Sequence, residues 1–202
     1  MNFWLESMNE FRLYFGLGKD HILDYQNGYD HILFVMALCA LYTFQDWRRV
    51  LILVTAFTIG HSITLALATL DVIRFRSDLV EFLIPLTIFF TASANIFRRE
   101  EVISDRKIQT NYAFALFFGF IHGMGFSNYL QAILGQSESI TLPLFAFNVG
   151  LEFGQIVIVV LFLSTCFIFV YLFGVSRRDW KMVISSAIAG ISLILMKDAA
   201  FW

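Results

Sequence analysis

The sequence predicts an all-α, polytopic membrane helix bundle of about six transmembrane helices, and three observations carry that expectation. Hydrophobic residues make up 58% of the 202-residue chain and charged residues only 15%, too few charges to coat a water-soluble surface. Mean hydropathy is +0.72. Apolar runs near the ~20 residues needed to cross a bilayer recur along the chain. The short segments of alternating polarity that would signal a β-barrel do not.

The elements follow in chain order as one integral membrane domain over residues 1–202. Residues 1–20 mix Phe3, Trp4, Leu5, Phe11, Leu13 and Phe15 with charges and contain no apolar core before a small-residue cleavage site. They therefore read as an interfacial amphipathic segment and not as a signal peptide. The bundle proper, 29–199, divides into helices at about 29–45, 50–70, 79–97, 111–130, 141–173 and 182–199. The fifth is too long for one perpendicular crossing, and tilt, projection beyond the bilayer or a break near Pro143 and Gly150 all remain open.

Orientation follows from the basic residues. Arg48, Arg49, Arg98, Arg99, Arg106, Lys107, Arg177, Arg178 and Lys181 collect on one side, while Arg12, Lys19, Arg74, Arg76 and Lys197 fall on the other. Cytoplasmic loops carry the excess, so both termini are expected outside. No basic, aromatic-interleaved patch accompanies the net charge of -2, and a nucleic-acid partner is not expected. Cys39 and Cys166 both lie in apolar runs and read as small buried hydrophobes.

The chemistry-bearing residues concentrate toward the outer half. Four histidines occur in the chain. His31, His61 and His122 sit in or at the mouth of apolar spans, where a polar side chain is costly enough to suggest a functional site. His21 lies just ahead of the first span, and Asp24 one turn on is its other conceivable partner. Asp30, Glu81, Asn148, Glu152 and Gln155 fall within or beside the same stretches. Imidazoles and carboxylates together suit a divalent transition metal.

Each motif has a structural alternative. In G-Y-D-H-I-L-F (28–34), Asp30 either orients or joins His31 as a ligand, or merely favours a helix start. In F-T-I-G-H-S-I-T-L (57–65), Thr58, His61 and Thr64 share one face, serving either a site or interhelical hydrogen bonding. Gly119 and Gly123 bracket His122, and Gly150 and Gly154 bracket Glu152. If those two faces meet, His122 and Glu152 reach one metal, and otherwise the glycines are packing seams. Asn148, Glu152 and Gln155 share a face at i, i+4 and i, i+3 spacing. Ser62 and Ser127 lack a nucleophile elbow, and Ser62 points about 100° away from His61 on a helix.

At H-I-L-D-Y-Q-N-G-Y-D-H-I-L-F (21–34), T-A-F-T-I-G-H-S-I-T-L (55–65), E-F-L-I-P-L (81–86), F-G-F-I-H-G-M-G-F (118–126) and F-N-V-G-L-E-F-G-Q (147–155), the chain resembles the HupE/UreJ family of bacterial membrane proteins. That resemblance implies a six-helix-type protein of the inner membrane, with nickel or cobalt uptake as its assigned role. It would make His31, His61, His122, Asp30 and Glu152 metal-handling residues, supported by Ser62, Asn148, Gln155, Glu81 and His21. The metal would be nickel, cobalt or zinc, and the other partners are the lipid bilayer and either a second copy or another membrane protein. A different class fits the same inventory: a zinc-dependent intramembrane hydrolase, with the histidines as ligands and Glu152 or Asp30 as general base.

Overall fold

The computed structural model describes residues 3–26, 28–98, 105–134 and 140–201, and all regular structure among them is helical. The helices are α1 (Phe3–Leu23), α2 (Tyr29–Cys39), α3 (Trp47–Thr69), α4 (Ser77–Phe97), α5 (Asp105–Gly125), α6 (Ser127–Leu134), α7 (Thr141–Phe167) and α8 (Arg177–Asp198). Of the basic residues used for orientation, Arg99 lies outside the described residues, as do 135–139 of the loop expected at 131–140. Four stretches are long and apolar enough to cross a membrane: Phe44–Thr69, Ser77–Phe97, Thr141–Leu172 and Arg177–Asp198.

One departure from the expected elements, and one point they left open, matter for the site. The helix expected at 29–45 stops at Cys39, because the chain turns through Ala40–Tyr42 into a short 3₁₀ turn at Phe44–Asp46. There the Thr43 N–H donates to Asp46 Oδ2 at 3.3 Å. An 11-residue α2 rises only ~16 Å at ~1.5 Å per residue, about half of a ~30 Å hydrocarbon core. The long fifth helix, by contrast, is unbroken. Pro143 falls in the first turn of α7, where a missing N–H costs no helical bond, and the helix continues through a π-helical stretch at Ile168–Leu172.

Glycine sets how the helices pair. A Cβ on Gly60 would overlap the Leu116 carbonyl, and one on Gly119 the Phe57 carbonyl. One on Gly123 would meet the His61 carbonyl and Thr64 Oγ1. α3 and α5 therefore run parallel with their backbones touching, the close approach that small residues permit in lipid. α1 and α7 repeat the arrangement: a Cβ on Gly18 would overlap the Phe147 carbonyl, one on Gly150 the Phe15 carbonyl, and Gly154 faces Ile22 at 3.1 Å. Thus α1, which includes most of the expected interfacial segment 1–20, runs lengthwise along α7 and not across it. The register, stepped back to Phe3, sets the start of α1 beyond the start of α7.

The remaining directions follow from single contacts. Asn95 Nδ2 donates to the Ala37 carbonyl at 2.7 Å, and Asp30 and Glu81 line a common cavity, so α2 runs parallel to α4. Lys181 Nζ donates to the Arg98 carbonyl at 2.6 Å, and the Phe82 and Phe201 rings lie 6.2 Å apart, so α8 runs antiparallel to α4. α1 and α2 then run in the same direction, one behind the other, with residues 24–28 between them. They form the two halves of a discontinuous helix.

These contacts make the glycine faces sensitive. Gly60→Val or Gly119→Val should lower stability by about 1–3 kcal/mol or more, the cost typical of overpacking. Gly16 and Gly190 have nothing within 4 Å of a built Cβ, and their alanine variants should be neutral or gain ~0.5–1 kcal/mol. Thermal unfolding in detergent measures both, and equal losses at all four positions would contradict the glycine pairing.

Candidate metal centre

Four helices each deliver one imidazole to a common point. His21 lies in the last turn of α1, His31 in the first turn of α2, His61 two-thirds of the way along α3 and His122 in the last turn of α5. His61 and His122 are fully buried and His31 is 4% exposed. Ring centroids lie 4.6 Å apart for His21 and His31, 6.1 Å for His21 and His61, 6.1 Å for His31 and His61, and 5.2 Å for His31 and His122. One ligand atom each from His21, His31 and His61 lies within 4.8 Å of the others.

Hydrogen-bond partners fix which nitrogens face inward. His31 Nδ1 lies 2.9 Å from Asp30 Oδ1, which also accepts the His31 backbone N–H at 2.8 Å. A carboxylate accepts, so the Nδ1 proton points to Asp30 and Nε2 keeps its lone pair. His31 Nε2 is buried without a partner. Thr87 Oγ1 donates its single proton to the Ile84 carbonyl at 2.7 Å, so toward His122 Nε2, 3.1 Å away, it accepts. The His122 proton therefore sits on Nε2, and Nδ1, also buried and unpartnered, carries the lone pair. His21 Nε2 and both His61 nitrogens are buried without partners as well.

Unpaired buried nitrogens are costly, and His21, His31 and His61, with ligand atoms within 4.8 Å of one another and the His122 ring 5.2 Å from that of His31, form a donor set that suits a borderline transition-metal ion. Asp30 stands in the carboxylate–histidine relation that orients such ligands. The end of α1 also presents its carbonyl pole here, favourable to a cation.

The cluster opens to one end of the bundle through a cavity of about 820 Å³ whose walls include Asp20, Asp24, Asp30 and Glu81. No Lys or Arg lines it among the described residues, although Asp20 pairs with Lys19 at its edge, 3.1 Å away. On the other side, Phe34 and Phe57, buried to 1% or less, pack against the imidazoles. The Phe34 and Phe57 rings lie 4.9 and 5.2 Å from that of His122, and Phe57 lies 6.1 Å from His61.

Glu152 takes a different place from the one the glycine spacing suggested. The Gly119/Gly123 face is filled by α3 and the Gly150/Gly154 face by α1, so the two do not meet. Glu152 instead accepts from Thr55 Oγ1 at 2.6 Å and sits 2.5 Å from Thr58 Oγ1. Gln155 Oε1 is 2.9 Å from the same Thr58 hydroxyl. This polar group lies one helical turn from His61, toward the arginine-rich end. Ser62 donates to the Thr58 carbonyl at 2.6 Å, which ties up its proton, and Asn148 donates to the Leu144 carbonyl at 2.8 Å. Glu81 lines the cavity and not the cluster.

The residue that sequence reasoning undervalued is His21. Its signal was the turn-forming D-Y-Q-N-G run at 24–28, which ends one helix and starts another and so sets His21 at the end of α1 against His31 at the start of α2. Thr87 carried no signal of its own, since its partner lies 35 residues away.

A family model described as HupE / UreJ protein matches residues 2–201. No curated protein and no solved structure gives a significant match.

The geometry ranks the residues. Asp30→Asn should weaken divalent-metal binding by roughly 10–100-fold, the usual cost of losing an orienting carboxylate, and His21→Ala should weaken it at least as much. Glu152→Gln should leave affinity within about threefold, because Glu152 is engaged by α3 hydroxyls and a factor of three is well under 1 kcal/mol. Competition with a chromophoric chelator measures all three, and a Glu152→Gln loss equal to that of His21→Ala would refute the ranking.

Proposed function

The chain belongs to the HupE/UreJ family, the match at 2–201 spanning every described residue, and from that premise we propose that it is a divalent transition-metal permease of the nickel/cobalt type. The observation that carries the reading is the convergence of His21, His31 and His61 with ligand nitrogens within 4.8 Å and no competing hydrogen bonds. The ion is the substrate, drawn through the acidic cavity, held by the imidazoles and passed toward the arginine-rich end. Thr58, Gln155 and Glu152 stand one turn beyond His61 as the next polar groups on that side.

The topology supports a carrier. With α1 and α2 counted as one interrupted crossing, the chain crosses six times through α1/α2, α3, α4, α5, α7 and α8. Both termini then lie on the side opposite Arg48, Arg49, Arg98, Arg177, Arg178 and Lys181, which by the excess of positive charge is the outside of a bacterial inner membrane. Discontinuous helices whose broken ends meet at a buried site recur in secondary transporters. The zinc-hydrolase reading fares worse, since Glu152 is engaged elsewhere and Asp30 is occupied by His31.

Proteoliposomes loaded with a metal-sensitive dye should show protein-dependent entry of Ni²⁺ or Co²⁺, reduced at least tenfold by His61→Ala and by His21→Ala. Elemental analysis after exhaustive dialysis should find no stoichiometrically retained metal, as expected of exchangeable binding. One zinc per chain that survives dialysis, with no uptake of any divalent ion tested, would overturn the permease reading in favour of a resident metal.

A further inference from the structure

A second cavity, of about 450 Å³, lies at the arginine-rich end between α2, α3, α4 and α5. Its inner wall is apolar, formed by Ala37, Leu38 and Leu53. Phe90 and Phe114, 58% and 54% exposed, stand at its edge. With α4 and α5 read as two of the proposed crossings, those exposed rings place the opening on the side of the bundle that faces the hydrocarbon. Thr91 and Asn95 add polar atoms to the α4 wall, where they bond to the Thr87 and Ala37 carbonyls, and the one charged side chain of the described lining, Arg98, stands at one end with Asn111 and Tyr42. There Asn111 Nδ2 donates to Tyr42 Oη at 3.0 Å, and Arg98 Nη1 donates to Asn111 Oδ1 at 3.4 Å. Lys181 adds a second cation, its ammonium seated on the Arg98 carbonyl at 2.6 Å.

This cavity is a poor exit for a metal ion. The Phe34/Phe57 layer separates it from the imidazoles, Phe118 of its wall meeting Phe34 edge to face at 6.0 Å, and a guanidinium at its polar end repels a divalent cation. The same features complement an amphiphile of opposite charge. The apolar chamber, within the ~300–1,000 Å³ of typical ligand pockets, takes an alkyl chain that enters from the bilayer. The basic end takes a phosphate, as basic pockets between transmembrane helices do.

We propose that this cavity is a binding site for one acyl chain of an anionic phospholipid, with Arg98 holding its phosphate. Asn111 and Tyr42 position the guanidinium through their hydrogen bonds. The site is independent of the metal reading, because no residue of the imidazole cluster or of the acidic cavity lines it.

The test uses the full chain in detergent, stripped of metal, with phosphatidylglycerol or phosphatidylethanolamine of matched acyl chains added. Phosphatidylglycerol should raise the unfolding temperature by several degrees more than phosphatidylethanolamine, and native mass spectrometry should show one retained phosphatidylglycerol. Arg98→Gln should abolish the preference between headgroups and Arg98→Lys should keep part of it. Ala94→Phe, which fills the cavity mouth, should remove stabilisation by both lipids. Equal stabilisation of the wild type by the two lipids, or a full preference surviving in Arg98→Gln, would overturn the proposal. Metal binding measured on the same samples reports on the imidazole cluster separately, so failure of either reading is visible alone.

Discussion

Backbone contact between parallel helices is the constraint on which the site depends. Lipid offers no hydrophobic drive for helix association, so close packing must supply it. α3 and α5 approach through Gly60, Gly119 and Gly123, and α1 and α7 through Gly18, Gly150 and Gly154. Because the first pair is parallel and in register, His61 and His122 emerge at nearly the same depth. Because the second is parallel too, His21 descends beside Phe147, 5.9 Å between rings, to meet them. Side chains at these glycines would push the backbones apart and separate the imidazoles, whatever the histidines themselves preferred.

The interrupted first helix follows from the same logic. A buried break exposes backbone groups that hydrocarbon cannot satisfy, and such breaks persist only where they line protein or a wet cavity. Here residues 24–26 and Gly28 fall on the wall of the acidic cavity. Asp30 sits at the start of α2, where it favours the helix dipole, while its carboxylate accepts both the backbone and the ring proton of His31. One side chain thus stabilises the restart of the helix and directs Nε2 of the imidazole inward.

Much of this was legible in the sequence, and the unread parts share a cause. The apolar runs located α3, α4, α7 and α8 nearly to their ends, since hydrocarbon thickness imposes helix length. His31, His61 and His122 stood out because polar groups at that depth are rare, and they do converge. Pairing of helices was not legible. The Gly119/Gly123 and Gly150/Gly154 faces announced close packing without naming a partner, and each chose a helix other than the one spacing suggested. Residues 1–20 looked amphipathic because α1 turns Phe11 and Phe15 to α7, at 6.4 Å from Phe145 and 5.8 Å from Phe153, while Trp4, Leu5 and Leu13 face outward. Periodicity alone does not distinguish a helix lying on a membrane from one packed along another helix.

The two cavities have opposite character, and Phe34 and Phe57 keep them so. A cavity lined by carboxylates leads to the imidazoles from one end, while a mostly apolar chamber with a guanidinium at its far end lies behind the aromatic layer. A divalent ion moving straight through would shed its ligands into hydrocarbon and then meet Arg98, both unfavourable. On the proposed permease reading, passage beyond the imidazoles would run past the α3–α7 seam, where Thr58, Gln155, Glu152 and Thr55 offer neighbouring oxygens, and not through the second chamber. Glu152, set apart from the imidazoles by the glycine packing, would on the proposed permease reading serve this path instead, its carboxyl oxygens held by Thr55 and Thr58 one turn past His61.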